Sequence, residues 1–528
     1  MPLGDEKHRL IFNELVNILG QGNVSDGRAT LLAYSRDMFA VSVLRRKRGP
    51  EFVALPGSTE DVQRIVQLAN RYKFPFSVIS GGWMFPLMGA ARPYWCIIDF
   101  KRMTKLEIDE QNMYAILEPN VTHAQVQAEA MKVGLYNGIP LVGAHMSALA
   151  NHAWHGWHGT AYRTGFSTRN ILGMEWVLPD GEILRTGSLA APGAGHFWGE
   201  GPGPDFKNLR KGVVGDNASL GIITKMAIKL HVWPGPRFFP TKGIRPQKKS
   251  ELPPNRLKWY FISYPTEKAL IDAMYEIGKA EIGGKMERYD SQRLAFEYAK
   301  SREEYWGHFE QGYWQGYPNT IALCLWGFTS EKQLVYEEKV LKQIIDETGG
   351  KLWPEDVYQK FVPYVANTKI RAIWGPRWCR NGGAMQTGWL MMDSLDEVLS
   401  CTPAIWEHMR KYTPPYLEGH GDSAWVLAFD FCHFGGADNA PPYEKREEVA
   451  RGALGEAMEQ MAMDTKGSKT TFELATAPVH VTGPSFANFH IPLAKIKKAF
   501  DPNNVSNPTR FIDMDAMERE AKEKAKPS

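Results

Sequence analysis

The stretch EFVALPGSTEDVQRIVQLANRYKFPFSVISGG, residues 51–82, decides the fold. Ser58 can cap a helix whose first turn is acidic, and one helical face is apolar through Val62, Ile65, Val66 and Ala69. FPFSVIS, residues 74–80, then reads as a short strand that runs directly into Gly81 and Gly82. Backbone N–H groups at such a strand end are not blocked by side chains, so they can cradle a phosphate. The same residues also suit an ordinary turn.

The next 150 residues alternate short apolar runs with one more amphipathic helix. This pattern predicts strands at 95–100 and 113–119, a helix at 122–134, a hairpin at 173–187 and a strand at 220–236. The sequence GxGxxG, typical of NAD-binding sites, does not occur. A Pro/Gly-rich segment, residues 234–254, predicts a domain boundary.

Beyond that boundary, strands and helices alternate over longer stretches. Strands are predicted at 257–264, 320–328, 388–393 and 423–431, and helices at 266–281, 330–350 and 394–412. This order predicts an antiparallel sheet with helices on one face, and so a two-domain α+β protein. The predicted domains are 1–240, with a core at about 45–236, then 241–485, and a C-terminal segment 486–528 that returns to the first domain.

Composition excludes several classes of protein. The chain of 528 residues is 43% hydrophobic and 23% charged, with a net charge of +3 and no long Lys/Arg block, so we expect no nucleic-acid partner. No run of 18 apolar residues occurs and the first 20 residues lack an apolar signal core, which predicts no membrane span and a cytoplasmic protein. The five cysteines are odd in number and widely spaced, which suits a reducing compartment.

Taken in order, these motifs resemble the vanillyl-alcohol oxidase and para-cresol methylhydroxylase (PCMH) flavoprotein family. The resemblance covers about 50–236 and 490–512, and it is carried by residues 51–82, AILEPNVTHAQVQAEAMKVGL (115–135), SALAN (147–151), GTAYRTGFSTRNILGMEWVLPDGEILRTG (159–187), ASLGIITKMAIKL (218–230) and LAKIKKAFDPNNVSNP (493–508). It implies bound FAD and a two-domain, FAD-binding PCMH-type fold whose antiparallel cap domain covers the substrate.

The resemblance also implies which residues contact FAD. They are Ile79, Ser80, Gly81, Gly82, Trp83, Met84, Glu118, Pro119, Ser147, Asn151, Thr160, Gly165, Gly221, Ile222, Ile223, Asn507 and Arg510. Some relatives bear a histidine after Ser-Gly-Gly that bonds covalently to the flavin, and Trp83 stands at that position here. An indole cannot replace that imidazole, so we expect no covalent bond from residue 83. Attachment through a histidine or tyrosine of the cap domain stays open.

Histidines recur every third residue at 152, 155 and 158 in a glycine-rich stretch. We predict no metal site, because a loop gives this spacing no common face, and hydrogen-bonded histidines around the flavin are the plainer alternative. His155, Tyr162 and Arg163 are instead candidate substrate-facing residues, as proton acceptor and oxyanion stabilisers. Arg377, among Trp374, Trp378 and Arg380, suits either an aromatic anion or structural cation–π packing.

The predicted function is an FAD-dependent oxidase or dehydrogenase that takes hydride from an aromatic alcohol or a para-substituted phenol, as in aromatic compound catabolism. One departure puts the phenolic substrate in doubt: GEGPGPDFKNLRKG, residues 199–212, replaces the family's PYGFGP. The alternatives are a 2-hydroxy-acid dehydrogenase, with Arg163 or Arg377 on the carboxylate, and a non-catalytic flavin-binding protein. The electron acceptor, oxygen or a redox protein, and a possible homo-oligomer are left open.

Overall fold

The computed structural model describes fifteen segments of the chain. They are residues 5–34, 49–82, 92–138, 143–154, 156–196, 198–211, 216–244, 248–317, 319–370, 389–400, 402–411, 425–439, 471–472, 479–509 and 511–524. Five residues of the predicted site, Trp83, Met84, His155, Arg377 and Arg510, lie outside the described residues.

The opening stretch forms part of a small mixed sheet. Its strands are β1 (Val24–Ser25), β2 (Phe52–Ala54), β3 (Phe76–Ile79) and β4 (Cys96–Asp99), in the order β1-β2-β4-β3. β4 lies parallel to both β2 and β3. Helices α1 (Glu6–Leu19), α2 (Arg28–Ala33) and α3 (Thr59–Tyr72) accompany it. The prediction for α3 is confirmed: the Ser58 hydroxyl accepts from the amide of Asp61 at 3.1 Å, and the predicted apolar face is fully buried.

A second, antiparallel sheet completes the first half of the molecule. Its strands are β5 (Leu106–Asp109), β6 (Tyr114–Leu117), β8 (Ile171–Val177), β9 (Ile183–Arg185) and β10 (Ile222–Lys229), in the order β5-β6-β10-β8-β9. The predicted hairpin is confirmed as β8 and β9. Short strands β7 (Leu135–Tyr136) and β11 (His231–Val232) pair beside it, and helices α4 (His123–Lys132), α5 (Ala148–Trp154) and α6 (Ala161–Thr164) connect the strands.

The second half is built on an antiparallel sheet, with eight strands within the described residues. After the small pair β12 (Thr241–Lys242) and β13 (Lys249–Ser250), the strands are β14 (Leu257–Ser263), β15 (Lys285–Tyr289), β16 (Thr320–Trp326), β17 (Lys351–Leu352), β18 (Trp389–Asp393), β19 (Trp425–Phe429), β20 (Phe434–Asn439) and β21 (Thr471–Phe472). Their order is β17-β14-β16-β15-β19-β20-β18-β21. The antiparallel cap sheet is therefore confirmed.

Helices cover both faces of this cap sheet, so the prediction of one covered face was wrong. α7 (Glu267–Lys279) and α10 (Glu331–Thr348) pack on one face. The shorter helices α8 (Ser291–Tyr298), α9 (Arg302–Glu310) and α11 (Glu355–Phe361) share the other face with residues of the first half. Helices α12 (Leu395–Ser400) and α13 (Thr402–Lys411) follow β18. Of these shorter helices, α9 has almost no apolar periodicity, so its sequence does not indicate a buried face.

Strand β15 was not predicted at all. Its sequence, KMERY, contains three charged residues, yet every side chain in it is buried. It occupies the centre of the cap sheet between β16 and β19.

The described part of the C-terminal segment is hydrogen-bonded to the first half. After helices α14 (Val479–Thr482) and α15 (His490–Phe500), the amide of Phe76 donates to Val505 O at 2.9 Å, and the amide of Asn507 donates to Phe76 O at 2.8 Å. The buried Lys497 ammonium donates to Ser219 O at 2.6 Å and Ser506 O at 2.7 Å. A last helix, α16 (Met514–Lys524), is tied back through Asp515 and Arg92. The predicted domain bounds 1–240, 241–485 and 486–528 stay a prediction.

In the parts of the chain that the structure describes, none of the helices combines the length and the apolar character that a bilayer crossing requires.

Candidate functional site

The loop after β3 makes close backbone contact with a second loop. Gly82 has a φ of +64°, which favours glycine. A Cβ on Gly81 would lie 2.9 Å from both the carbonyl oxygen of His145 and the amide nitrogen of Ser147. Any side chain at residue 81 would therefore push the two loops apart.

Ser147 joins this contact to a third segment. Its hydroxyl donates to Pro119 O at 2.5 Å and accepts from the amide of Ala150 at 3.0 Å. The Glu118 carboxylate accepts from the amide of Lys105 at 2.8 Å, which holds the same turn. Gly81, Pro119 and Ser147, predicted from separate motifs, are thus brought together.

Four other predicted cofactor residues, Gly221, Ile222, Ile223 and Asn507, lie at a second place in the same domain. Gly221 donates its amide to Ser506 Oγ at 3.2 Å, and a Cβ there would lie 2.4 Å from Val177 O. The side-chain amide of Asn507 donates to Asn217 O. Ile222 and Ile223 follow on β10 with buried side chains, so cofactor contact there would fall to the backbone. Whether these residues touch FAD stays a prediction.

Three buried histidines line the loop between α4 and β8. The rings of His123 and His152 stack with centroids 5.9 Å apart. His152 Nδ1 donates to Ala148 O at 2.7 Å, and His158 Nε2 donates to Gly165 O at 2.9 Å, since a carbonyl can only accept. Burial lowers the pKa of His152 to about 4 and that of His158 to about 3, so both are neutral. This is the hydrogen-bonded alternative of the sequence analysis.

Several buried polar atoms of this region have no partner among the described residues. They are both ring nitrogens of His123, both amide atoms of Asn151 and the Oδ1 of Asn137. A buried polar group without a partner costs about 1–3 kcal/mol, so proteins rarely keep one unless a ligand or water satisfies it. Together with the tight glycine contact at Gly81, these atoms fit a large polar cofactor such as FAD. Asn151 was predicted to contact FAD; His123 and Asn137 were missed.

Tyr162 and Arg163, two predicted catalytic residues, contact the cap domain. The Tyr162 hydroxyl is fully buried and donates to Ile282 O at 2.8 Å. Arg163 donates to Gly283 O at 3.1 Å, and its guanidinium lies 4.0 Å from the ring centre of Phe328. These contacts account for both side chains without a substrate. They favour a structural role, in which the two residues brace the contact between the domains. The catalytic assignment of Tyr162, Arg163, His155 and Arg377 stays a prediction.

A chain of ion pairs on the cap sheet was missed. Glu287 is fully buried, and its two carboxylate oxygens lie 2.6 Å from Lys285 Nζ and 3.2 Å from Lys369 Nζ. Lys369 also lies 3.2 Å from Glu297, whose carboxylate is 2.7 Å from Arg293. We call these five residues the cap ion chain. The one sequence signal is the alternation of Lys285, Glu287 and Tyr289, which puts them on one face of β15.

The residues of the cap ion chain can be charged although they are buried, because their opposite charges compensate one another. Burial opposes ionisation of Glu287, but Lys285 and Lys369 outweigh it and hold the pKa of the carboxyl below its usual range. Burial lowers the pKa of Lys369 to about 8, although both glutamates act in the opposite direction. Lys369 also donates to the Tyr289 hydroxyl, and the Trp425 indole donates to Glu287 at 2.7 Å.

The cap ion chain lies on the face of the cap sheet that meets the first half of the molecule. Trp157 packs edge-on against Phe429 with centroids 5.4 Å apart. Lys369 is followed by Ile370, whose carbonyl accepts from the Tyr136 hydroxyl at 2.9 Å. The charge of Lys285, after burial, His152 and His231, contributes to the low pKa of His158. The unsatisfied polar atoms of one half and the charges of the other therefore border the same interface, where ligand pockets commonly form.

Comparison with known proteins agrees with this geometry. Residues 50–187 match the family model of the FAD binding domain. The chain is 32% identical over 249 residues to the 4-cresol dehydrogenase [hydroxylating] flavoprotein subunit of Pseudomonas putida, covering 44% of this chain and 45% of the relative. It is 28% identical over 224 residues to the glycolate oxidase subunit GlcD of Bacillus subtilis, covering 41% and 44%. The chain thus spans less than half the length of these curated relatives.

Solved structures match over almost the whole chain. p-Cresol methylhydroxylase with substrate bound superposes with a TM-score of 0.77 and 17% identity, covering 96% of this chain and 97% of the other. The 4-ethylphenol oxidase of Gulosibacter chungangensis gives 0.71 and 20%, covering 96% and 98%.

The chain therefore contains an FAD-binding domain, and its fold is the two-domain, PCMH-type fold. Its cofactor is FAD, and the relatives that it matches include a Mycobacterium tuberculosis protein named as an FAD-linked oxidoreductase.

Proposed function

We propose that this protein is an FAD-dependent oxidoreductase whose substrate binds between the cap sheet and the part of the FAD-binding domain that contains α5 and α6. The observation that supports it best is the position of the cap ion chain and the aromatic side chains around it, which face the FAD-binding domain. Such a site combines apolar walls with a few charged groups, as substrate pockets commonly do.

The proposed donor is an aromatic alcohol or a para-substituted phenol. Trp157, Phe429 and Phe434 form edge-to-face and stacked contacts at this interface, with Phe429 and Phe434 centroids 4.9 Å apart. Aromatic walls of this kind suit an aromatic ring. The two solved structures named for phenolic ligands share the fold, which adds support to the proposal but no residue assignment.

The protein's own contribution is binding, orientation and proton handling. Bound FAD supplies the hydride acceptor. Asn151 and the loop at Gly81 would hold it, while the cap face positions the donor carbon and excludes water. A lysine of the cap ion chain is the charged group that we propose for a substrate oxygen that becomes negative. The proposed electron acceptor is oxygen or a redox protein, and reoxidation of the reduced flavin distinguishes the two.

A 2-hydroxy acid is the second candidate substrate. Lys285 is a buried ammonium group whose one carboxylate partner in the described residues, Glu287, is shared with Lys369, and such a group suits a carboxylate ligand. The similarity to the B. subtilis glycolate oxidase subunit points the same way.

Anaerobic rapid mixing tests the proposal. The FAD-loaded protein is mixed with para-substituted benzyl alcohols, para-alkyl phenols and short 2-hydroxy acids, and loss of the oxidised flavin absorbance is recorded. Saturable reduction by the aromatic donors alone supports the first candidate, and reduction by the hydroxy acids alone supports the second. A flavin that no donor reduces contradicts the proposal and leaves a flavin-binding protein. Reoxidation by air then identifies an oxidase.

A further inference from the structure

The cap ion chain has a cation at each end. Its charges alternate as Lys285, Glu287, Lys369, Glu297 and Arg293, which gives three cations and two anions among these residues. Buried charges are normally compensated, because an ion in a low-dielectric interior is costly unless it is paired. At the Lys285 end, one buried cation meets a single carboxylate among the described residues, so this end can accept an anion.

Lys285 is the end with spare hydrogen-bonding capacity. Its ammonium group has three N–H donors and is fully buried, yet the one carboxylate that it meets in the described structure is Glu287, at 2.6 Å. The other nearby groups are the Trp259 ring, 6.0 Å from Nζ, and the neutral His158 of the FAD-binding domain. The Trp259 indole nitrogen is itself buried with no hydrogen-bond partner in the described residues.

Sheet register holds these groups side by side. Lys285 lies opposite Cys324 on β16, and Trp259 on β14 lies opposite the same cysteine from the other side. The ammonium of Lys285, which meets only Glu287 among the described carboxylates, and the indole of Trp259, which has no partner in the described residues, thus occupy one row of the cap sheet. Both belong to the face that meets the FAD-binding domain.

We propose that Lys285 binds an anionic oxygen of the substrate, a carboxylate or a phenolate, with the Trp259 indole as a second donor. This inference rests on the proposed function, because it places the anion at the interface where the substrate is proposed to bind. Glu287 then acts as a positioning residue that holds the ammonium, and Lys369 is the structural centre of the ion chain.

The experiment measures binding of redox-inert ligands to the FAD-loaded protein by titration calorimetry. Benzoate and 4-cyanophenolate are the anionic probes, and benzamide is the neutral probe of the same size. The variants are Lys285→Met and its matched control Lys369→Met, which removes the same charge from the same ion chain. Both substitutions leave two cations and two anions. Lys285→Met should fold, because Glu287 keeps Lys369 as its partner.

We expect Lys285→Met to weaken binding of the anion by roughly ten- to a hundredfold, as for loss of a hydrogen bond to a charged group. Benzamide binding should be nearly unchanged, and Lys369→Met should weaken anion binding less while lowering Tm more. A response to benzoate alone identifies a carboxylate substrate, and a response to 4-cyanophenolate alone identifies a phenolate. Trp259→Phe should reduce anion binding by a few-fold.

Three results would overturn the inference. They are a wild-type protein that binds neither anion, an Lys285→Met protein that binds anions as well as wild type does, and equal losses for anionic and neutral probes. Because no probe donates hydride, this outcome is separate from the reduction test. Donors can reduce the flavin while Lys285 proves structural, and anions can bind through Lys285 in a protein that no donor reduces.

Discussion

The two halves of the interface bury polar groups in opposite ways. On the FAD-binding side, the groups are neutral and incompletely satisfied: His123, Asn137 and Asn151 all keep buried atoms without a partner in the described residues. On the cap side, the charged groups are paired: Glu287 meets two lysines, and Glu297 meets Lys369 and Arg293. A neutral group there, the Trp259 indole, lacks a partner in the described residues. An unsatisfied neutral group costs less free energy than an unpaired buried charge, so only the neutral group is tolerated until a ligand binds.

This difference indicates how much free energy each half loses when its ligand is absent. An unsatisfied neutral group costs about 1–3 kcal/mol, which a folded domain can carry. Removing one member of a buried ion pair costs about 3–5 kcal/mol, which is a large share of the stability of a domain. The cofactor side is therefore built to be completed by FAD, and the cap side is built to stand without a ligand, with one donor group left over at Lys285.

Glu287→Leu should have the largest effect on stability. It leaves the buried Lys285 and Lys369 without their shared carboxylate, so we expect a loss of about 3–5 kcal/mol, seen as a lower denaturation midpoint of the cap domain. Glu276→Leu, which breaks an exposed pair with Lys279, is the control and should cost less than about 1 kcal/mol. Equal losses in the two variants would refute the view that the cap side depends on pairing.

Gly82→Asp tests the cofactor side. A carboxylate beside the predicted pyrophosphate position, about 4 Å away, would repel it by roughly 4 kcal/mol at an intermediate dielectric, or about a thousandfold in FAD affinity. Residue 82 also has a φ of +64°, which adds strain for aspartate. Gly203→Asp, at a glycine with no neighbour near its Cβ position, should keep full flavin. A Gly82→Asp protein purified with full flavin would place the phosphate elsewhere.

The buried histidines predict acid sensitivity of the cofactor side. Their usual pKa is 6.5, but His152 and His158 stay neutral in the folded protein until about 4 and 3. Between pH 6.5 and 4 the unfolded chain binds more protons, so stability should fall as the pH drops, by about 1.4 kcal/mol per pH unit for each histidine.

His158→Asn should remove one such contribution from the slope of stability against pH in that window. The slope separates titration from the packing that the variant also loses, because a packing loss shifts stability equally at every pH. His433→Asn, at an exposed position, is the control. An unchanged slope in His158→Asn would show that His158 is not held neutral.

Arg163→Met tests whether this residue braces the interface or takes part in catalysis. Its bond to Gly283 O predicts bracing, with about 1.5 kcal/mol of stability lost and normal flavin reduction in the protein that keeps FAD. The catalytic prediction instead requires reduction to slow at least tenfold with stability little changed. Rapid-mixing reduction and thermal denaturation of the same variant decide between the two, with the exposed Arg64→Met as control.

The last prediction is that the flavin is not covalently attached. Because Trp83 occupies the position of the attaching histidine of some relatives, acid precipitation should release all flavin to the supernatant. Flavin that stays on the polypeptide would direct the search to histidines and tyrosines of the cap domain.

The sequence alone determined most of the FAD-binding half, since its signals are local. The cap at Ser58, the apolar face of α3 and the β8–β9 hairpin depend on residues a few positions apart, and the order of the motifs was specific enough to indicate FAD. Gly81, Pro119 and Ser147 were predicted singly, and the structure brings them together.

Only the tertiary structure decided the chemistry of the cap. KMERY has the composition of a solvated segment, and its burial depends on Lys369, 80 residues beyond Tyr289 in the chain, which supplies the second ammonium for Glu287. The same holds for Tyr162 and Arg163: their types suggested catalysis, but their distant partners Ile282 and Gly283 indicate bracing. Charge compensation between residues far apart in the chain leaves no local pattern, because any one lysine or glutamate is equally suited to water.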